Sequence, residues 1–289
     1  MLEKRFMKDN QSWKNNIEQS KRNEWGRTIE DKILSSAPYP ISYDVDSTQP
    51  INFSEFSYTE FMGGVILNTQ SIEINTRNIL KCSEYNYKDS KYHIDLLKEK
   101  LDDKYELETI EGTIPKIDEV IFIPGHNMFD IINHDLKDRI GFENPNAILK
   151  AHPLTDVKEL NKIRGTFGWN RTIRGKISGM ELLKKCEKAW VTSATELCTA
   201  AVVLDKDIGN ITTFKNESVG IYYPINRILF KEQKENRQKV LNCIIETKHS
   251  GLLFPWMDDI DERIQAFFEE TIKLKEHYRP ISSSFNIKK

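Results

Sequence analysis

Two short clusters in this 289-residue chain combine residues able to bind and stabilise phosphate. The first is Lys150-Ala151-His152-Pro153, which follows the apolar run Ala147–Leu149. Pro153 cannot donate to a ladder and holds His152 in an extended conformation, so a strand should end there. Lys150 and His152 then stand near a strand's carboxyl end, the end that faces the ligand crevice of an open α/β sheet. The second is Thr192-Ser193-Ala194-Thr195-Glu196, after the apolar run Ala189–Val191 and before the small-residue segment LCTAAVVL. Glu196 lies three residues after Ser193, the spacing of a capping box at a helix start. A helix N-terminus carrying hydroxyls and backbone N–H groups attracts anions. Two such ends side by side would bracket a diphosphate.

Between the clusters the chain is basic. From residue 158 to 188 there are nine Lys or Arg against three acids, a net +6, in a chain whose overall formal charge is -2. Arg171 and Arg174 lie among Gly165, Gly168, Gly175 and Gly179, with Phe167 and Trp169 interleaved. A guanidinium suits bidentate phosphate contact. The lysines at 184, 185 and 188 read as a solvated face instead. Candidates for a general base are Glu73, Asp130 and His126, with Glu111 a further acid. His126 follows the strand IDEVIFIP (residues 117–124) directly. No Asp-x-Asp pair of the metal-holding kind follows a strand. Asp205-Lys206-Asp207 has the spacing but reads as a turn, so no metal is expected.

The elements that must position these residues follow from hydrophobic periodicity. Strands are expected at 63–69, 105–110, 117–124, 147–149 and 189–191. Helices are expected at 11–36, 71–80, 92–104, 128–138, 196–204, 226–249 and 258–278. Gly63-Gly64 reads as a turn; otherwise it lets backbone approach a ligand. The alternation after residue 117 predicts an α/β fold with a parallel sheet.

Composition sets the bounds. The mean hydropathy is -0.56, 30% of residues are charged, and no apolar run approaches the roughly 20 residues of a membrane span. The N-terminus lacks the apolar stretch of a secretory signal. The four cysteines, Cys82, Cys186, Cys198 and Cys243, form no CxxC pair; Cys186 and Cys198 read as core thiols in a reduced, cytoplasmic setting.

The order K-x-H-P, then T-S-x-T-E with a small-residue helix, resembles the donor-binding half of GT-B glycosyltransferases of the capsule, sialyl- and Kdo-transferase types. The resemblance covers about 118–223. It implies two Rossmann-like domains with C-terminal helices packing back: an acceptor side at 1–116, a donor-binding domain at 117–225 and helices at 226–289. It also implies transfer from a nucleotide sugar (a UDP-sugar first, a CMP-sugar second) without a metal or other cofactor. His152 would serve the leaving group. Lys150, Pro153, Arg171, Arg174, Thr192, Ser193, Thr195 and Glu196 would hold the donor, with Glu196 on the ribose hydroxyls. Glu111-Gly112 matches half of the acidic-Gly motif of the sialyl and Kdo types, with Ile110 where an acid precedes it. Two acceptors fit: a hydroxymethylated base in DNA, as in phage enzymes of this fold, or a surface glycan. Compact size, the absence of a membrane segment and the Arg/aromatic segment put DNA slightly ahead; the near-neutral overall charge speaks against it. A nucleotide-sugar 2-epimerase, a glycerol-phosphate polymerase and a non-catalytic nucleic-acid or protein-binding module on the same fold are the competing classes.

Overall fold

The computed structural model describes residues 56–69, 71–84, 91–105, 117–123, 147–152, 155, 157–167, 172–173, 177–211 and 222–277. Expectations for the helices at 11–36 and 128–138, the strand at 105–110 beyond its first residue, and Glu111, His126, Asp130, Pro153, Arg171 and Arg174 lie outside the described residues.

The chain is mixed α/β. Its centre is a parallel sheet of β3 (Ile117–Ile123), β4 (Ile148–Ala151), β5 (Thr172–Ile173), β6 (Cys186–Val191) and β7 (Asp207–Asn210). The strand order is β5-β4-β3-β6-β7, and every pairing is parallel. The chain winds outward from β3 to β5, then returns to β3's other side. The order therefore reverses at β3, which is where such sheets open a crevice at their carboxyl ends.

Alternation along the strands covers both faces. Val120, Phe122, Ile148, Ala189 and Val191 join one large apolar cluster. Ile121, Ile123, Leu149, Ala151 and Trp190 join a second, with Leu160 of α3 (Val157–Phe167). Burial on both sides explains why these strands read as continuous apolar runs rather than alternating ones. Gly209 is required by this packing: a Cβ there would sit 2.4 Å from the Trp190 ring.

A second, antiparallel sheet joins both ends of the described chain. β1 (Phe56–Phe61) and β2 (Gly64–Thr69) form a hairpin, and β2 pairs with β8 (Leu252–Leu253). Met62 and Gly63 make the turn with φ of 53° and 81°, the two positive values that a two-residue hairpin of the primed type needs. The two glycines thus do different things. Gly63 turns the chain. Gly64 opens β2 with no room for a side chain, since a Cβ would lie 2.3 Å from the Leu253 carbonyl oxygen.

Helices fill the space between the sheets. α1 (Ile72–Ser83) is capped by Ser71, whose hydroxyl accepts from Ile74 N. α2 (Tyr92–Tyr105) follows. α4 (Gly179–Lys185) and α5 (Glu196–Val203) flank β6. The expected helix at 226–249 is two helices, α6 (Tyr223–Lys231) and α7 (Lys234–Glu246). The break has a cause: buried Arg237 donates from Nε to the Leu229 and Glu232 carbonyls, both at 3.1 Å, and so stops α6. α8 (Ile260–His277) completes the set. α6, α7 and α8 pack against α1. One apolar cluster runs from Phe61 and Ile66 through Ile94, Val120 and Val202 to Ile244 and Phe268, so residues of all three expected ranges share a core. All four cysteines are buried free thiols, and burial pushes the Cys186 thiol up to about 11. Burial of this kind suits packing residues.

His93 gives this core a pH dependence. It is buried, and its Nδ1 accepts from Trp256 Nε1 at 3.2 Å. Burial, and after it the Arg263 charge, pulls its pKa below the usual value, despite the opposing Glu246 and Asp259. A histidine depressed in the fold contributes stability above its unfolded pKa of about 6.5, and loses it as pH falls through the folded value. Melting temperature should fall from pH 7.5 toward pH 5, with a change in Trp256 emission. His93→Asn, which keeps an acceptor and loses the titration, should flatten that slope; an unchanged slope would exclude His93 as its source.

Candidate functional site

The carboxyl ends of β3, β4 and β6 open into a cleft of ≈ 310 Å³. Phe122 and Ile123 end β3 there. Lys150, Ala151 and His152 come from β4, and Thr192, Thr195, Glu196 and Leu197 come from the β6–α5 turn. Ser178, Gly179 and Met180 form the remaining wall. The two sequence clusters therefore meet in one place.

Lys150 occupies β4 and is only 5% exposed. Its parity with Ile148 puts it on the face of the large apolar cluster. Burial holds its ammonium below the usual lysine range. An anion in the cleft would oppose that shift by favouring the charged form. His152 is exposed at the strand end. Its carbonyl accepts from Thr155 N at 2.9 Å, so the chain turns immediately after β4.

At the β6–α5 turn the helix cap is Thr195, two residues later than the Ser193–Glu196 capping box predicted. Its hydroxyl accepts from Leu197 N at 3.3 Å. Ser193 and Thr192 do not cap. Their side-chain oxygens are buried without a hydrogen-bond partner, with the residues 0% and 1% exposed. Such orphaned hydroxyls are uncommon and each asks for an explanation, a bound ligand among them. Thr192 lines the cleft.

Glu196 stands at the first position of α5, where a carboxylate favours the helix dipole. Its Oε1 accepts the backbone N–H of Met62 in the hairpin turn. The β1–β2 hairpin is thereby tied to the cleft's edge. Phe61 stacks on Tyr222 beside it, with ring centroids 5.7 Å apart. Periodicity gave no sign that residue 62 meets residue 196; the only local signal was the Met-Gly-Gly turn.

Glu73 is elsewhere. It is exposed on α1 and paired with Arg77, 2.7 Å away and one helical turn on, and it does not line the cleft. The lysines after Gly179 also face away from it. Lys185 pairs with Glu181, and Lys188 lies 4.2 Å from the centre of the Trp190 ring.

Two contributors were not singled out in the sequence. Ser178 caps α4, accepting from Glu181 N at 3.0 Å, and brings Gly179 against Phe122. Its S-x-x-E spacing is a capping-box signal. Asn226 of α6 reaches the β6–α5 turn from behind. Nothing local in the sequence marks it beyond a polar residue at a core position.

No family model, curated protein or solved structure matches this chain. Among the described residues, no group of three or more His, Cys, Asp or Glu is placed to hold a metal ion, and no helix is long and apolar enough to cross a membrane.

Proposed function

We propose that this chain is a glycosyltransferase that moves a sugar from a nucleotide-sugar donor to a hydroxyl acceptor, with the donor's phosphates in the cleft at the ends of β3, β4 and β6. The observation that carries this reading is that Lys150, His152, Thr192, Thr195 and Glu196, drawn from two separate sequence clusters, line that one cleft. The winding of the sheet and the orphaned Thr192 hydroxyl support it. On this reading the β3–β7 sheet is the donor half of a GT-B arrangement, and the hairpin sheet with α1 and α2 stands on the acceptor side.

In the reaction the bond between the anomeric carbon and the phosphate oxygen breaks, and a bond to the acceptor oxygen forms. The acceptor proton passes to a base, and negative charge grows on the leaving phosphate. Lys150, the start of α5 and a hydrogen bond from His152 would meet that charge in a site partly shielded from water. Arg171 and Arg174 are the further cations that this reading enlists for the phosphates. Because Glu73 stands apart, the base is sought at His126 or Asp130, which follow β3 in the sequence.

Binding is tested by thermal shift with UDP, GDP, CMP, CDP and their common sugars. A ligand at a hundred times its Kd adds about 2.7 kcal/mol to the native state, a shift of several degrees for a chain of this size. One nucleotide series should stand out, the uridine series first. A flat panel would remove the transferase reading and favour a binding module. For the acceptor, duplex affinity that falls steeply with salt marks DNA, and its absence at low salt marks the glycan.

A further inference from the structure

Asn226 is fully buried in the first turn of α6, and every hydrogen-bonding direction of its amide that faces the β6–α5 region is used. Its Nδ2 donates to the carbonyls of Ser193 and Thr195, each at 2.8 Å. Its Oδ1 accepts from the Thr199 hydroxyl, also at 2.8 Å. The two carbonyls fix which end of the amide faces the turn, since a flipped amide would set Oδ1 against both of their oxygens, and the Thr199 hydroxyl then donates to the Oδ1 that remains.

The consequence lies on the other side of the same peptide groups. A trans peptide is planar, with its C=O and the following N–H pointing in opposite directions. Drawing the Ser193 and Thr195 carbonyls back toward α6 turns the N–H groups of Ala194 and Glu196 away from α6. Thr195 and Glu196 line the cleft there, and the unpartnered, buried Thr192 hydroxyl stands beside them. An apolar residue at 226 would suit the burial of that position but would leave the turn free to rotate its carbonyls outward. Carbonyl oxygens facing the cleft would repel an anion.

We propose that Asn226 is a positioning residue for the phosphates of a nucleoside diphosphate: it touches no ligand, and it holds the β6–α5 turn with its donors facing the cleft. This rests on the donor reading above. The test measures Kd by titration calorimetry for the nucleotide that shifts the wild type and for inorganic pyrophosphate, on wild type, Asn226→Asp and Thr199→Val, each confirmed folded by circular dichroism. Asn226→Asp keeps the shape and sets oxygens against both carbonyls. It should weaken both ligands about tenfold or more, which corresponds to about 1.4 kcal/mol. Thr199→Val removes one buried hydrogen bond but leaves both carbonyl contacts. It should lower the melting temperature while keeping affinity within about twofold. If Asn226→Asp does not fold, Asn226→Ala carries the same comparison. A folded 226 variant with wild-type affinity overturns the assignment, as does equal loss of affinity in Thr199→Val, which would mean general loosening. A wild type that binds neither nucleotide nor pyrophosphate overturns the donor reading, and this assignment with it.

Discussion

A Lys150→Met chain should lose the nucleotide-dependent transfer proposed above by about 10²–10³-fold and yet stay folded, with its melting temperature close to the wild type's. The two halves of that expectation have one cause. Lys150 is 5% exposed, and burial works against its charged form. Burial disfavours an ammonium there, and an anion in the cleft would favour it. Methionine keeps the length of the stem and discards the charge, so the loaded protein loses a cation while the stem's packing is kept. Thr192→Val should act in the same direction with a smaller effect, because it removes a buried hydroxyl that has no partner. Melting curves with and without the nucleotide, beside transfer rates, check both variants. A Lys150→Met protein that transfers at the wild-type rate would take Lys150 out of the site. One that melts well below the wild type would make Lys150 a structural residue.

That site was legible in sequence where a local rule was sufficient. The His152-Pro153 pair predicts a strand end by the stereochemistry of proline, and β4 ends at Ala151; Thr195-Glu196 starts a helix by the chemistry of caps. A parallel sheet then has few ways to bring two strand ends together, so K-x-H-P and T-S-x-T-E meeting in one cleft follows from winding order. The same reasoning misplaced the cap by two residues, because Ser193 satisfies the capping-box spacing while its hydroxyl is buried without a partner. What stayed hidden is long-range. The Met62–Glu196 bond spans 134 residues, and the β2–β8 pairing joins the first described sheet to a segment nearly 190 residues on. Neither leaves a periodic trace in sequence. Asn226 and Arg237 stayed hidden for a related reason. Each is a polar residue at a core position, which periodicity scores as a defect, and each is justified by partners on other elements. Glu73 shows the converse: an acid near a glycine-led strand looked available for chemistry, and the helix turned it outward to Arg77.

The largest loss of stability is expected at Arg263, far from the cleft in function and central to how the last two helices close the fold. Its guanidinium is buried and serves as a terminal cap for α7. Nη1 donates to the Ile245 carbonyl at 2.8 Å, Nη2 to the Glu246 carbonyl at 3.3 Å, and Nε to Asp259 Oδ1 at 2.7 Å. The carbonyl end of a helix has four acceptors without intrahelical donors and carries partial negative charge, so a cation there answers both needs. Arg263→Met strips those carbonyls and leaves Asp259 without its principal partner. Asp259 is half-buried, so the cost lies toward the lower end of the range for breaking a buried pair, about 3 kcal/mol, or roughly 6 °C in melting temperature. Arg263→Lys should recover little, because one ammonium cannot span a carboxylate and two carbonyls at once. The pH response supplies an independent check. Burial pushes the Asp259 carboxyl up, but the hydrogen bond and charge of Arg263, with Lys248 behind it, outweigh burial and hold it below its usual value. A carboxyl depressed in the fold contributes stability above its unfolded pKa of about 3.9 and loses it as pH falls through the folded one. The wild type should therefore lose this contribution below about pH 4, and Arg263→Met should have little of it left to lose. Denaturant titrations of both proteins from pH 7 to pH 3 measure the difference. Parallel curves separated by a constant offset would mean that Arg263 holds the helix end by its carbonyl contacts alone.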